Sequence, residues 1–131
     1  MSRLLLDTTV LIDLEWAGDD LGSILLDEDD VAISAVTVVE LEVGIRLASD
    51  GHRADRRTAV ESIVNSVQVL PYDLDVAHRH AVLLAHIRRV GSPRGRHDLI
   101  VAAMALASGR TVMTADTSGF VGLPGVLVFD R

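Results

Sequence analysis

Short apolar runs typical of β-strands alternate with longer helical segments along the chain, and this alternation constrains the fold more than any other feature. The strand-like runs cover residues 3–7, 31–34, 67–70, 111–114 and 126–129, and the helical segments cover 10–16, 37–48, 52–66, 73–90 and 98–108. Strands separated by helices call for a parallel sheet with helices on both faces. We therefore predict an α/β fold, a three-layer α/β/α sandwich around a mainly parallel sheet of about five strands.

The length and the apolar patterning indicate one globular domain over residues 1–131. No secretory segment is expected, because an apolar strand begins within three residues of Met1. The longest apolar run, residues 99–107, is far shorter than the roughly 20 residues of a membrane span. The chain has no cysteine, which excludes disulfides and thiolate chemistry. We expect a cytoplasmic protein that does not act at a membrane.

Charge is distributed unevenly along the chain. The first 45 residues hold eleven of the nineteen acids and only one basic residue, Arg3. All twelve basic residues are arginines, and a guanidinium group can hold phosphate oxygens in a bidentate manner. The net charge of −7 therefore does not exclude a nucleic-acid substrate.

Four acids lie where strand-like runs end or where helical segments begin, namely Asp7, Glu40, Asp98 and Asp116. In an open parallel sheet, ligands bind at the carboxyl ends of the strands, where the following helices start. The fold would thus bring four carboxylates from distant parts of the chain into one cleft. Because like charges repel strongly at short range, such a cluster implies a bound cation.

Each acid also has a purely structural interpretation. Glu40 could complete a capping box opened by Thr37, Asp98 could stabilise a helix start, and Asp116 could serve a turn. Asp7 is harder to explain in this way, because a carboxylate at the end of a buried strand has few structural duties. Taken together, the four positions favour a site over four separate caps.

Other chemistries can be compared with the residues present. The absence of lysine excludes a P-loop and a phosphorelay receiver site, and Thr9 occupies the second acid position of an Asp-x-Asp phosphatase motif. No Gly-x-Ser-x-Gly elbow and no His-x-x-x-His pair occur. Whether His97, next to Asp98, lies near the site is left open. Oxygen-only ligation remains, and it favours Mg²⁺ or Mn²⁺.

Four segments, in order along the chain, resemble the motifs of PIN-domain nucleases, and more narrowly of the VapC toxins of type II toxin–antitoxin pairs. Residues 5–13, with Asp7-Thr8-Thr9, resemble the first motif, and residues 33–44, with Glu40, resemble the second. Residues 97–103, starting His97-Asp98, resemble the third, and residues 114–120, with a Thr-x-Asp turn and a downstream phenylalanine, resemble the last. The resemblance spans nearly the whole chain.

The resemblance implies roles for individual residues. Asp7, Glu40, Asp98 and Asp116 match the acidic positions of the family. Asp7 and Asp98 would make the main metal contacts, directly or through water, followed by Asp116, and Glu40 would act through water or orient the nucleophile. Glu42 is a second acid near Glu40, but two residues along a helix correspond to about 200° of rotation, so both cannot face the cleft. The spacing of the family motif favours Glu40. Thr9 and Thr114 match hydroxyl positions that support the site.

The resemblance also implies an activity and partners. It predicts a Mg²⁺-dependent endoribonuclease, with Mn²⁺ as a substitute ion, that cuts RNA, often tRNA or rRNA. A VapB-like antitoxin would cover the acidic cleft of a homodimer, giving a heterotetramer or a larger complex. Arg94 and Arg96, in the loop before Asp98, are candidate phosphate contacts.

Some alternatives stay open. The cluster formed by Arg53, Arg56 and Arg57 could contact RNA, antitoxin or only solvent. The chain could also be an RNA-processing nuclease without an antitoxin, or an inactive binding module of the same fold.

Overall fold

Five parallel strands form the central sheet in a computed structural model that describes residues 2–23 and 25–131. The strands are β1 (Arg3–Leu6), β2 (Asp30–Ser34), β3 (Gln68–Leu70), β4 (Thr111–Thr114) and β5 (Val128–Asp130). Their order across the sheet is β3-β2-β1-β4-β5, and every neighbouring pair is parallel. The predicted α/β fold with a five-stranded parallel sheet is thus confirmed.

Five helices cover the two faces of this sheet. They are α1 (Thr8–Ala17), α2 (Ala35–Leu47), α3 (Asp50–Ser66), α4 (Leu74–Val90) and α5 (Arg96–Ser108), and two 3₁₀ turns cover Leu21–Ser23 and Thr117–Gly119. In the described part of the chain, no helix is both long enough and apolar enough to cross a membrane.

The side chains of β1 alternate between two hydrophobic clusters, which explains the three layers. Leu4 and Leu6 pack with residues of α1, α2 and α3, whereas Leu5 packs with residues of α4 and α5. All three are at most 5% exposed. Because successive side chains of a strand point to opposite faces, a continuous apolar run at the centre of the sheet is buried on both sides.

The start of α2 corrects one sequence-based expectation. The helix begins at Ala35, and the Ser34 hydroxyl, at the end of β2, accepts a hydrogen bond from the amide of Val36 at 3.0 Å. Thr37 therefore lies inside the helix instead of capping it, and its buried hydroxyl has no partner among the described residues. The capping-box interpretation of Glu40 is wrong, because the strand runs directly into the helix and Ser34 takes the capping position.

Several other boundaries differ by one or two residues from the predicted ones. Helix α1 begins at Thr8, two residues before the predicted start at residue 10. Helix α5 begins at Arg96 and places Asp98 in its first turn. The last strand lies two residues later at its start than predicted.

Arg110 joins the strands at the edge of the sheet opposite to their carboxyl ends. Its buried guanidinium donates to the backbone carbonyls of Leu4 and Asp30, at 3.3 and 2.8 Å, and lies 3.0 Å from the Asp30 carboxylate. This hydrogen-bonded arginine holds the pKa of Asp30 below its usual value. The amino ends of β1 and β2 are thereby tied to the residue that precedes β4.

Candidate metal centre and active site

The carboxyl ends of β1 and β4 lie side by side, and the first turns of α1 and α5 start close to them. Strand β1 is central in the sheet and pairs with β2 on one side and with β4 on the other. Chain connections leave in opposite directions from such a position, which opens a crevice in parallel α/β folds. Asp7 follows β1 directly, at this crevice.

Asp7 is 5% exposed and is held by two hydroxyl groups. Thr9 and Thr114 both donate to its Oδ2 atom, at 3.0 and 2.9 Å. The Thr9 hydroxyl also accepts from the amide of Ala115 at 3.0 Å, and the Thr114 hydroxyl accepts from the amide of Asp116 at 3.0 Å. Each hydroxyl has only one proton to donate. A hydrogen bond to an ionised carboxylate is stronger than one to a neutral acceptor, so both hydroxyls donate to Asp7.

The second oxygen of Asp7 is therefore the one left for a ligand. No side-chain hydrogen bond from the described residues reaches Oδ1. Asp7 occupies the position before α1, yet its side chain does not cap that helix. Thr9 and Thr114, which sequence analysis assigned as supporting hydroxyls, lie directly against this carboxylate.

Asp116 follows β4 and is exposed. Its Oδ1 atom accepts hydrogen bonds from the Ser118 hydroxyl at 2.6 Å and from the Ser118 amide at 3.1 Å. The hydroxyl contact, and after it the amide contact, lower the pKa of Asp116 below its ordinary value. Asp116 is thus held ionised with one oxygen engaged and the other available.

Glu40 lies in the second turn of α2 and is half-buried. Its Oε1 atom accepts from the Thr8 hydroxyl at 2.9 Å and lies 3.2 Å from Nδ1 of His97. Glu42, by contrast, pairs with Arg46 at 3.3 Å and with Arg57 at 3.4 Å. The structure therefore brings Glu40 to the crevice and directs Glu42 to other partners.

The negative charges of the other three acids affect the pKa of Asp98. Its pKa is raised, first by burial and then by the negative charges of Asp7, Glu40 and Asp116, whereas His97 acts in the opposite direction. Four carboxylates from four separate segments thus share one electrostatic environment. A cation among them would relieve this repulsion.

Two glycines leave room for the Asp98 carboxylate. A β-carbon at Gly119 would lie 2.4 Å from Oδ2 of Asp98, and one at Gly95 would lie 3.1 Å from the same atom. Any side chain at position 119 would therefore displace the carboxylate. Sequence analysis did not single out Gly119, although its place three residues after Asp116 was visible.

The donor set fits a hard cation. Asp7, Asp98 and Asp116 offer carboxylate oxygens, which Mg²⁺ and Mn²⁺ prefer. Over residues 2–23 and 25–131, no three acidic or histidine side chains are already close enough to chelate an ion directly. Mg²⁺ usually keeps several of its waters and uses only one or two carboxylates, so this spacing suits an ion held partly through water.

The arginines predicted to contact phosphate differ in their surroundings. Arg94 donates to the backbone carbonyls of Ser118 and Val121, so it ties the loop before α5 to the 3₁₀ turn after Asp116. Arg96, the first residue of α5, is exposed and beside the crevice. Arg96 is thus the freer of the two for a ligand.

The second arginine cluster is engaged in ion pairs on α3. Arg56 lies 2.9 Å from Glu15 of α1, Arg57 lies 3.4 Å from Glu42 of α2, and Arg53 lies 2.9 Å from Asp50. Two of these pairs connect neighbouring helices. These ion pairs give the cluster a structural role.

Thr8 and Ser118 were not predicted as site residues. Thr8 is buried, and its hydroxyl donates to Glu40 across the crevice. Ser118 stands two residues after Asp116, a spacing at which an aspartate often accepts a hydrogen bond in a turn. That spacing was the signal that could have identified Ser118.

The chain matches one protein family and is similar in sequence to several known proteins. The PIN domain family model matches residues 4–123. Ribonuclease VapC5 of Mycobacterium tuberculosis is 36% identical over 121 residues, which cover 92% of this chain and 87% of the relative. The tRNA(fMet)-specific endonuclease VapC of Salmonella typhimurium is 30% identical over 106 residues, covering 80% of this chain and 78% of the relative.

A solved structure shows the same architecture. The structure of VapBC-5 from Mycobacterium tuberculosis, described as a member of the VapBC family of toxin–antitoxin systems, superimposes with a TM-score of 0.81 at 30% identity and covers all of both chains.

Proposed function

The chain belongs to the PIN-domain family, among the VapC ribonucleases, and from this premise we propose that it is the toxin of a type II toxin–antitoxin pair. It would act as a metal-dependent endoribonuclease within a single domain. The observation that carries the proposal is the Asp7 carboxylate at the end of β1, which two hydroxyls hold by one oxygen. Burial, and after it the charges of Asp7, Glu40 and Asp116, raises the pKa of Asp98 beside it. The VapC relatives and the VapBC-5 structure favour a toxin over an RNA-processing nuclease without an antitoxin.

We propose Mg²⁺ as the cofactor, with Mn²⁺ as a substitute. Asp7, Asp98 and Asp116 would hold the ion, and the oxygen of Asp7 that receives no hydroxyl is the first candidate contact. A bound divalent ion lowers the pKa of a coordinated water and neutralises charge on the scissile phosphate. Thr9 and Thr114 fix the orientation of Asp7, and Ser118 fixes that of Asp116.

Glu40 would orient the attacking water, directly or through a second water. Its Oε1 atom is already engaged with Thr8 and His97. Oε2 is then the atom that would accept a proton or a hydrogen bond from the nucleophile. Hydrolysis would break the phosphodiester bond by in-line displacement.

The substrate would be RNA that is held mainly through its backbone and shape. The chain has only four aromatic residues and one of them, Phe120, is buried, so at most Trp16, Tyr72 and Phe129 could stack on bases. Arg96 is the best-placed phosphate contact, and Arg94 would support the loop that carries it. Because one relative is named a tRNA(fMet)-specific endonuclease, tRNA is the first substrate class to test, followed by rRNA.

A VapB-like antitoxin would cover the acidic crevice, and the toxin would form a homodimer, giving a heterotetramer or a larger complex with antitoxin. Neutralisation by a positively charged antitoxin side chain would relieve the same carboxylate repulsion as a metal. The proposed RNA substrates imply that the protein acts in the cytoplasm.

The test measures cleavage of total tRNA and rRNA by the antitoxin-free protein with Mg²⁺ or Mn²⁺. Asp7→Asn and Asp98→Asn should lose activity by about 10²-fold or more, whereas Asp55→Asn, an exposed aspartate of α3, should match the wild type. Equal activity in all four proteins, or an inactive wild type, would contradict the proposal.

A further inference from the structure

One oxygen of Glu40 accepts a hydrogen bond from Thr8 and also lies within ion-pair distance of a histidine from another helix. The Thr8 hydroxyl at 2.9 Å and Nδ1 of His97 at 3.2 Å both reach Oε1. Thr8 belongs to α1, Glu40 to α2 and His97 to α5. The Glu40 carboxylate is thus fixed from two sides, and the contact with His97 links α2 to α5.

The atoms involved define the chemistry of this contact. A carboxylate oxygen only accepts, so the 3.2 Å contact is favourable when Nδ1 of His97 carries a proton, in either charge state of the ring. In a neutral ring this leaves Nε2 without a proton, since the hydrogen bond made by one nitrogen sets the state of the other. Among the charged groups, Glu40 lies in contact with His97, and Arg96 and Asp98 flank it in sequence.

We propose that His97 is a positioning residue that holds Glu40 by donating from Nδ1 to Oε1, so that Oε2 faces the reacting groups. The proposal rests on the proposed nuclease function. A glutamate side chain has three rotatable bonds, and two donors on one oxygen restrict them. Such restraint matters, because reactive groups must be held to within about 0.5 Å for efficient catalysis.

A simple surface ion pair is the competing interpretation. His97 and Glu40 have side-chain exposures of 46% and 32%, and exposed pairs contribute only about 0–1 kcal/mol to stability. Under that interpretation, removal of the imidazole would change stability slightly and would leave catalysis unchanged.

Three substitutions separate the two interpretations. His97→Ala removes the donor, His97→Asn places an amide nitrogen near the position of Nδ1, and His97→Gln places one near the position of Nε2. We expect kcat for RNA cleavage to fall by about 10–100-fold in the alanine variant with little change in KM. Asparagine should restore most of the activity and glutamine should not, while His78→Ala, at an exposed histidine of α4, should match the wild type.

A second measurement does not depend on activity. Long-range proton–nitrogen NMR spectra of the imidazole report which nitrogen carries the proton in the neutral ring. We expect the Nδ1 proton in the wild type and loss of that preference in Glu40→Ala.

The outcomes are distinguishable. An inactive wild type would contradict the proposed function, while the NMR spectra would still test the contact. A neutral His97 protonated at Nε2 in the wild type would overturn the inference, and so would full kcat in His97→Ala of an active enzyme. Equal rescue by asparagine and glutamine would overturn the assignment of Nδ1.

Discussion

Gly119→Ala tests whether the position of the Asp98 carboxylate controls catalysis. The added methyl carbon would lie 2.4 Å from Oδ2, 2.8 Å from Cγ and 3.3 Å from Cβ of Asp98. The backbone of Gly119 does not have a positive φ. Alanine is therefore compatible with the backbone, and the conflict is with the carboxylate alone.

The size of the displacement follows from these distances. Ordinary contact with a β-carbon begins near 3.4 Å, so the Asp98 oxygen must retreat by about 1 Å. A misplacement of about 1 Å at a reacting group lowers rates by roughly 10²-fold, which corresponds to about 2.7 kcal/mol of transition-state stabilisation. The effect on stability should be small, because Asp98 can rotate and because alanine restricts the unfolded chain by about 0.4–1 kcal/mol.

The assay measures kcat/KM for RNA cleavage together with the thermal unfolding midpoint. Gly51→Ala is the matched control, since a β-carbon there meets nothing within 4 Å, and its activity should equal that of the wild type. A folded Gly119→Ala protein with kcat/KM within about threefold of the wild type would refute the argument, because threefold is far below the effect expected from a 1 Å displacement.

Three further predictions concern charged residues. Because the folded-state pKa of Asp98 is raised, its contribution to stability is complete below the unfolded pKa and is lost as pH rises through the folded value. Metal-free Asp98→Asn should therefore have a higher thermal unfolding midpoint than the wild type at neutral pH, and the two midpoints should converge on acidification. Equal midpoints across the pH range would argue against repulsion among the four carboxylates. Arg96→Ala should weaken RNA binding and reduce the slope of log binding constant against log salt concentration by about 1. Arg94→Ala should instead lower the free energy of urea unfolding by about 1–3 kcal/mol, because its contacts with backbone carbonyls are lost. The reverse pattern would exchange the two roles. Arg110→Ala should lower the free energy of urea unfolding by about 1–3 kcal/mol, because the carbonyls of Leu4 and Asp30 lose a donor. It should leave kcat unchanged in the folded protein, and a large loss of kcat would show coupling between the two edges of the sheet.

The fold was predictable because its strands have a simple signature. β1 is an apolar run followed at once by Asp7, β4 is followed after one residue by Asp116, and the helices between strands show amphipathic or apolar patterns. Boundaries were harder, since the cap of α2 depends on where β2 ends. Ser34 and Thr37 are both good capping residues by type, and only the length of the strand decides between them.

The site was predictable in its acids but not in the contacts that orient them. Asp7 and Asp98 stand out because carboxylates at strand ends and helix starts point to a common edge. The contacts from Thr8 and His97 to Glu40 join segments that lie 32 and 57 residues away in sequence, and local patterns carry no information about such distances. The close approach of Gly119 to Asp98 is likewise a tertiary fact.

The link between Asp7 and Thr114 has a consequence for how the protein is made. These side chains meet although they lie 107 residues apart in sequence. A ribosome synthesises Asp7 and Glu40 well before Asp98, Thr114 and Asp116, and domains fold as their segments emerge. A growing chain that lacks β4 has neither the hydroxyl that orients Asp7 nor the last acid of the cluster. Translation products that stop before β4 would therefore lack the proposed activity, which would begin only after Asp116 has been added.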